Sequence, residues 1–175
     1  VTLHIFSYGS NLLLARLRAR VPSARFVARG KLTGHALRWH KLGEDGSGKC
    51  DALETKVPQD CLWGGVFEID EAHKHLLDAA EGLGVGYDEK HADIECLTVN
   101  GDPFVQRSSL YFALKKDPAA IPYGWYKAFV VAGAHECGLP AEHIHALKAV
   151  GSIEDADRQR DRRNRYLLPA PFRDI

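Results

Sequence analysis

The chain has 175 residues, enough for one domain, and 45% of them are hydrophobic, so a normal core is expected. Its 23 basic and 23 acidic residues balance, nine histidines aside, which argues against a nucleic-acid or anionic-membrane surface. No apolar run approaches the roughly 18 residues of a membrane span, and no basic segment leads into an apolar one, so neither a span nor a signal peptide is expected.

In chain order, residues 2–8 read as a strand and 11–20 as a helix ended by Val21-Pro22. Between them lies Tyr8-Gly9-Ser10-Asn11-Leu12, a tight turn. Gly9 lacks a Cβ and lets a ligand approach the backbone, with φ > 0 also open to it. Ser10 or Asn11 is placed to cap the helix. The free N–H groups of such a turn converge on one spot and favour an anion or a developing oxyanion. The other reading is an ordinary strand-to-helix turn.

Residues 24–40 carry alternating and β-branched or aromatic positions, with bends at Gly30 and Gly34. Residues 43–49, with three glycines, form a loop, and 51–57 an edge strand. Leu62 to Ile69 is a strand. Asp70 then caps a helix with acidic residues in its first turn and Leu76, Leu77 and Ala80 as its apolar stripe, stopping at Gly82. Residues 91–99 and 104–113 flank Asn100-Gly101, a strong hairpin signal. Residues 123–137 read as a helix, Pro140 opens another running to about Val150, and Glu154 to Arg165 reads as a solvated charged helix held by i,i+4 pairs. Mixed hairpins and helices point to α+β.

The four cysteines, Cys50, Cys61, Cys96 and Cys137, are scattered without a C-x-x-C pair. Reduced thiols and a cytoplasmic location are expected. The pairs His73/His75 and His143/His145 lie two apart on expected helices, which does not put two ligands on one face, so no metal site is expected.

Among the carboxylates Glu81 stands out. It ends an apolar helix ahead of three glycines, where the helix dipole favours cations instead. Burial there would raise its proton affinity toward what a general acid/base needs. The bland alternative is an exposed Glu at a frayed helix end. Ser7 and Ser10 lack an identifiable His–Asp arrangement that would make them nucleophiles.

Taken together, Tyr8-Gly9-Ser10-Asn11-Leu12, then Leu77-Asp78-x-x-Glu81-Gly82-x-x-x-Gly86-Tyr87, then Tyr126-Lys127 with Gly133-Ala134-x-Glu136-x-Gly138-Leu139-Pro140 resembles the gamma-glutamylcyclotransferase family. The resemblance covers residues 3 to about 150, within a domain of residues 1–150, and leaves 151–175 outside as a charged C-terminal tail. It implies a small mixed β-barrel flanked by helices, with no cofactor and no metal. It implies conversion of a small-molecule γ-glutamyl substrate into 5-oxoproline and a free amine, by a monomer or homodimer. Glu81 would move the proton, Tyr8, Gly9, Ser10, Asn11 and Leu12 would bind the glutamyl part, and Tyr111 and Tyr126 would line the pocket. The chain departs from the family pattern at Pro122-Tyr123-Gly124-Trp125, and its bulky Tyr123 and Trp125 are expected to reshape the leaving-amine end.

The chemistry is economical. The substrate's α-amine is its own nucleophile, so correct folding of the substrate makes the attack intramolecular and supplies several kcal/mol of the barrier. The ammonium must lose a proton and the leaving amine must gain one; a single tuned carboxyl group serves both steps. Close variants of this reading share the chemistry and change the leaving group, as γ-glutamylamine- or glutathione-specific cyclotransferases do. A non-catalytic binding protein on the same scaffold is the reading from another class.

Overall fold

The computed structural model describes residues 1–98 and 100–174. Among these residues seven strands form: β1 (Thr2–Ser7), β2 (Arg25–Thr33), β3 (His35–Leu42), β4 (Gly48–Glu54), β5 (Cys61–Asp70), β6 (Tyr87–Leu97) and β7 (Pro103–Ala113). Five α-helices accompany them: α1 (Leu14–Arg18), α2 (Lys74–Glu81), α3 (Gly124–Glu136), α4 (Ala141–Ala149) and α5 (Arg158–Tyr166). The mixed α+β barrel expected from the sequence is present. Strands β1, β5, β2, β6 and β7 close it in that order. All neighbours are antiparallel except β1 and β7, which meet in parallel where Ile5 pairs with Ser109.

The expected strand region 24–40 divides in two. Gly34 turns the chain with φ +71°, a conformation that suits glycine. Beyond it β3 leaves the barrel and pairs only with β4, as a separate two-stranded sheet. The 43–49 loop is the tip of that hairpin. Strand β6 starts at Tyr87, earlier than the expected 91, because Tyr87 already pairs with Ala113 of β7. The end expected for it at Val99 lies outside the described residues. Asn100-Gly101 does turn the hairpin, with Gly101 at φ +89°.

The expected helix 11–20 is shorter and broken. Ser10–Leu12 make a 3₁₀ turn, and α1 follows only from Leu14. Neither Ser10 nor Asn11 caps it. Glu136, at the end of α3, accepts the Leu14 N–H at 2.9 Å and does that work from across the fold. Asp70 likewise precedes the helical segment 71–81 without a side-chain capping bond; the segment opens as a 3₁₀ turn before α2.

Helix α3 is buried on nearly all sides, from Trp125 to Ala134, as expected of a helix apolar all round. It packs among Phe6, Leu12, Leu13, Leu17, Leu77 and Leu110 in one continuous core. Gly133 is what brings the 8–12 turn onto this helix. A Cβ there would lie 2.4 Å from both Leu12 Cβ and the Leu13 nitrogen. The position of the turn is therefore set by a backbone-to-backbone approach that a larger residue would prevent.

The C-terminal segment is more than a solvated tail. Ile153 bridges Tyr123 and accepts the Gly124 N–H. Asp155 is 1% exposed and receives the Trp125 indole N–H at 2.8 Å and two Arg160 nitrogens at 2.6 Å. Asp157 caps α5, and i,i+4 pairs form at Arg158–Glu154 and Arg165–Asp161.

Candidate active site

The cleft that gathers the sequence candidates opens where β1 runs into the 3₁₀ turn. Its empty space, open mouth included, is about 350 Å³. Tyr8, Gly9, Ser10, Asn11, Glu81, Tyr111 and Tyr126 all line it, joined by Cys50 and Tyr87, which sequence reasoning gave no role. Leu12 does not reach it. Its side chain is fully buried against Gly133, and its N–H donates to the Gly9 carbonyl at 3.0 Å, closing the turn.

The remaining turn amides are open. Among the described residues, the N–H groups of Gly9, Ser10 and Asn11 donate to no protein acceptor. Gly9 serves here by its size: its φ is −111°, so no special backbone freedom is in use. A Cβ would meet Cys50 Cβ at 3.0 Å and the Tyr126 hydroxyl at 3.2 Å.

Helix α2 carries Glu81 to the cleft and stops there because Gly82 turns left-handed, φ +64°. The Glu81 side chain is 13% exposed. One oxygen, Oε1, accepts from Asn11 Nδ2 at 2.8 Å and from Arg20 Nη1 at 2.8 Å. The same Arg20 nitrogen donates to Asn11 Oδ1 at 3.0 Å, which fixes the amide's orientation. The second oxygen, Oε2, has no protein partner among the described residues. Glu81 is thus mostly buried as half of an ion pair, and not an exposed Glu at a frayed helix end. No sequence signal marks Arg20, which reads as a charged residue at a helix end.

Four phenols frame the site, and burial pushes each up from its ordinary pKa. They stay protonated, and their hydrogen bonds separate their roles. Tyr8 donates to the Tyr111 carbonyl oxygen, so its hydroxyl proton is committed. Tyr87 donates to the Cys50 carbonyl at 2.8 Å. Tyr111 donates to Asp78 Oδ1 at 2.6 Å and accepts from Lys74 at 3.0 Å, leaving only its ring for the cleft. Tyr126 instead accepts the Cys50 N–H at 3.0 Å, with the Cys50 thiol also beside its hydroxyl, which faces the cleft. Cys50 is an inert wall: burial pushes its thiol up to about 12.

Trp125 and Tyr123 do not line this cleft. Trp125 is a core residue tied to Asp155, and Tyr123 lies beside Arg160. Both rings stand behind the cleft: the Tyr123 hydroxyl donates to the Asp45 carbonyl at 3.1 Å, and Lys49 rests over the two rings. Among the described residues, no three His, Cys, Asp or Glu side chains stand close enough to share a metal ion.

An acid with one free oxygen beside a row of open amides can take up and return a proton while an anion is held opposite. The model of the AIG2-like family matches residues 61–147. Gamma-glutamylcyclotransferase of Homo sapiens is 31% identical over 148 residues, which cover 83% of this chain and 77% of that protein. The protein of the same name from Mus musculus is 32% identical over 149 residues, again 83% and 77%. A solved structure named gamma-glutamyl cyclotransferase superimposes with a TM-score of 0.78 at 24% identity, covering 100% of this chain and 98% of its own, which confirms the fold. With identity above 30% across four-fifths of its length, the chain belongs to the gamma-glutamylcyclotransferase family.

Proposed function

We propose that the protein cyclises an L-γ-glutamyl amino acid or amine to 5-oxoproline and the free amine, with Glu81 carrying the proton. The observation that supports this best is the half-anchored carboxylate. Oε1 is fixed by Asn11 and Arg20, and Oε2 is left without a protein partner on the wall of the cleft. The α-ammonium of the bound substrate gives its proton to this carboxylate. The amine nitrogen then attacks the γ-carbonyl carbon and forms a tetrahedral intermediate. As the old C–N bond breaks, Glu81 returns the proton to the leaving nitrogen; the ring nitrogen then sheds its remaining extra proton through the same carboxylate, so that it ends as the lactam N–H and the amine leaves as an ammonium. No water is consumed, and the carboxylate ends as it began.

The N–H groups of Gly9, Ser10 and Asn11 suit either the intermediate's oxyanion or the substrate α-carboxylate, and the Tyr126 hydroxyl faces the same cleft. Four unpaired thiols support a reducing, cytoplasmic setting. The test is a panel of γ-glutamyl amino acids and γ-glutamylamines assayed for 5-oxoproline. Glu81→Gln keeps an acceptor oxygen for Asn11 and Arg20, and is expected to lower kcat about 10³-fold, in the range for losing a positioned acid/base. Turnover that survives this change intact would remove Glu81 from the role.

A further inference from the structure

Glu81 borders two cavities. One is the cleft described above. The other lies along the β3–β4 hairpin, with Lys41, Glu44, Asp45, Lys49 and Gly86 on its walls. If the scissile bond sits at the proton carrier and the glutamyl half on the turn amides, the leaving half extends into this second space.

The charges of that space are nearly all compensated. Lys49 Nζ holds both oxygens of Asp45 at 2.9 Å. Glu81 is paired with Arg20. Glu44 and Lys115 are exposed, opposite in sign and hydrated. Lys41 is different. It is only 8% exposed, yet among the described residues its ammonium forms no hydrogen bond or ion pair with the protein. It rests over the Tyr87 ring, 4.8 Å from the centroid, which steadies a cation but satisfies none of its three N–H donors. Gly86 makes room for it: a Cβ there would stand 3.2 Å from Nζ. Burial pulls the Lys41 pKa below the ordinary lysine value, with the Glu81 charge opposing that pull. An ammonium so placed is stabilised by an anion brought to it.

Resting on the cyclisation reading, we propose that Lys41 is a specificity-determining residue that receives a carboxylate borne by the leaving half of the substrate. The enzyme would then favour γ-glutamyl amino acids over γ-glutamylamines that lack this group.

The test uses γ-glutamyl-L-alanine and γ-glutamylethylamine, which differ only by that carboxylate, with kcat/KM measured by 5-oxoproline release. The wild-type protein is expected to prefer the alanine compound about 10- to 100-fold, the usual size of a hydrogen bond to a charged group. Lys41→Met should bring the ratio to about one, mostly through loss on the alanine compound, and Lys41→Arg should keep most of the preference. Lys41→Gln repeats the measurement should the methionine variant fail to fold. Equal losses on both substrates would overturn the proposal, since Lys41 would then serve the glutamyl half or the fold. So would an active wild-type enzyme that does not discriminate. A wild-type protein that releases 5-oxoproline from neither compound would fail at the cyclisation reading itself.

Discussion

Two carboxylate–guanidinium pairs in this molecule have opposite characters. Asp155 is closed in: Trp125, Arg160 through two nitrogens, and the Asp157 N–H occupy both of its oxygens. The Arg160 guanidinium, helped by these other donors, holds its pKa down at about 2. Glu81 has the same kind of partner in Arg20, but the bonds converge on one oxygen and leave the other open. A saturated carboxylate fastens two elements together. A half-saturated one is held in place and can still exchange a proton. The difference lies in the number of donors presented, since the ion pair is common to both.

The comparison is broken most directly by exchanging loss of rate for loss of stability. Glu81→Gln should cost its three orders of magnitude in kcat while thermal unfolding moves by no more than about 2 °C, because the neutral amide keeps the anchored oxygen. Asp155→Ala should do the reverse. It leaves the buried Trp125 N–H without an acceptor, costing about 2 kcal/mol, which lowers Tm by about 4–8 °C for a chain of this size. A stability loss confined to Glu81→Gln would show that the two pairs had been assigned the wrong way round.

Acid titration sharpens the same contrast. The folded-state pKa of Asp155 is depressed below its unfolded value, so the stability it contributes is present above about pH 4. That stability is lost as pH falls toward about 2. Acid unfolding of the wild type should therefore steepen across that window, and Asp155→Asn should flatten it in circular dichroism. A smaller effect is expected at Tyr126→Phe, which deletes a phenolic hydroxyl from the cleft wall: about a tenfold drop in kcat/KM, in keeping with one neutral hydrogen bond. An unchanged value would restrict Tyr126 to supporting Cys50.

Much of this was legible in the sequence. The alternating strands, the Asn100-Gly101 turn and the apolar stripe ahead of Glu81 are local patterns with local causes, and they gave the α+β class and the acid at a helix end. The 8–12 turn was legible as a cradle, yet its details were not. Whether Ser10 caps α1 depends on Glu136, 126 positions away, which reaches Leu14 first. Leu12 belongs to the core because Gly133 admits it. Arg20 and Lys41 read as ordinary surface cations until the barrel and the β3–β4 hairpin fold around them. The charged C-terminal segment looked solvated because its composition is dominated by α5, while the residue that anchors it, Asp155, is a single buried position before that helix.

The parallel seam of the barrel carries one last consequence. Strands β1 and β7 meet around a single pairing, Ile5 with Ser109, and the Tyr8 hydroxyl reaches across from just beyond β1 to the Tyr111 carbonyl. That phenol is a latch onto the β7 backbone, and both tyrosines are walls of the cleft. Shutting the barrel and completing the proposed active cleft therefore share one hydrogen bond. A molecule that turns over substrate certifies by doing so that its seam is shut, which makes enzymatic rate a gauge of folding quality for this chain.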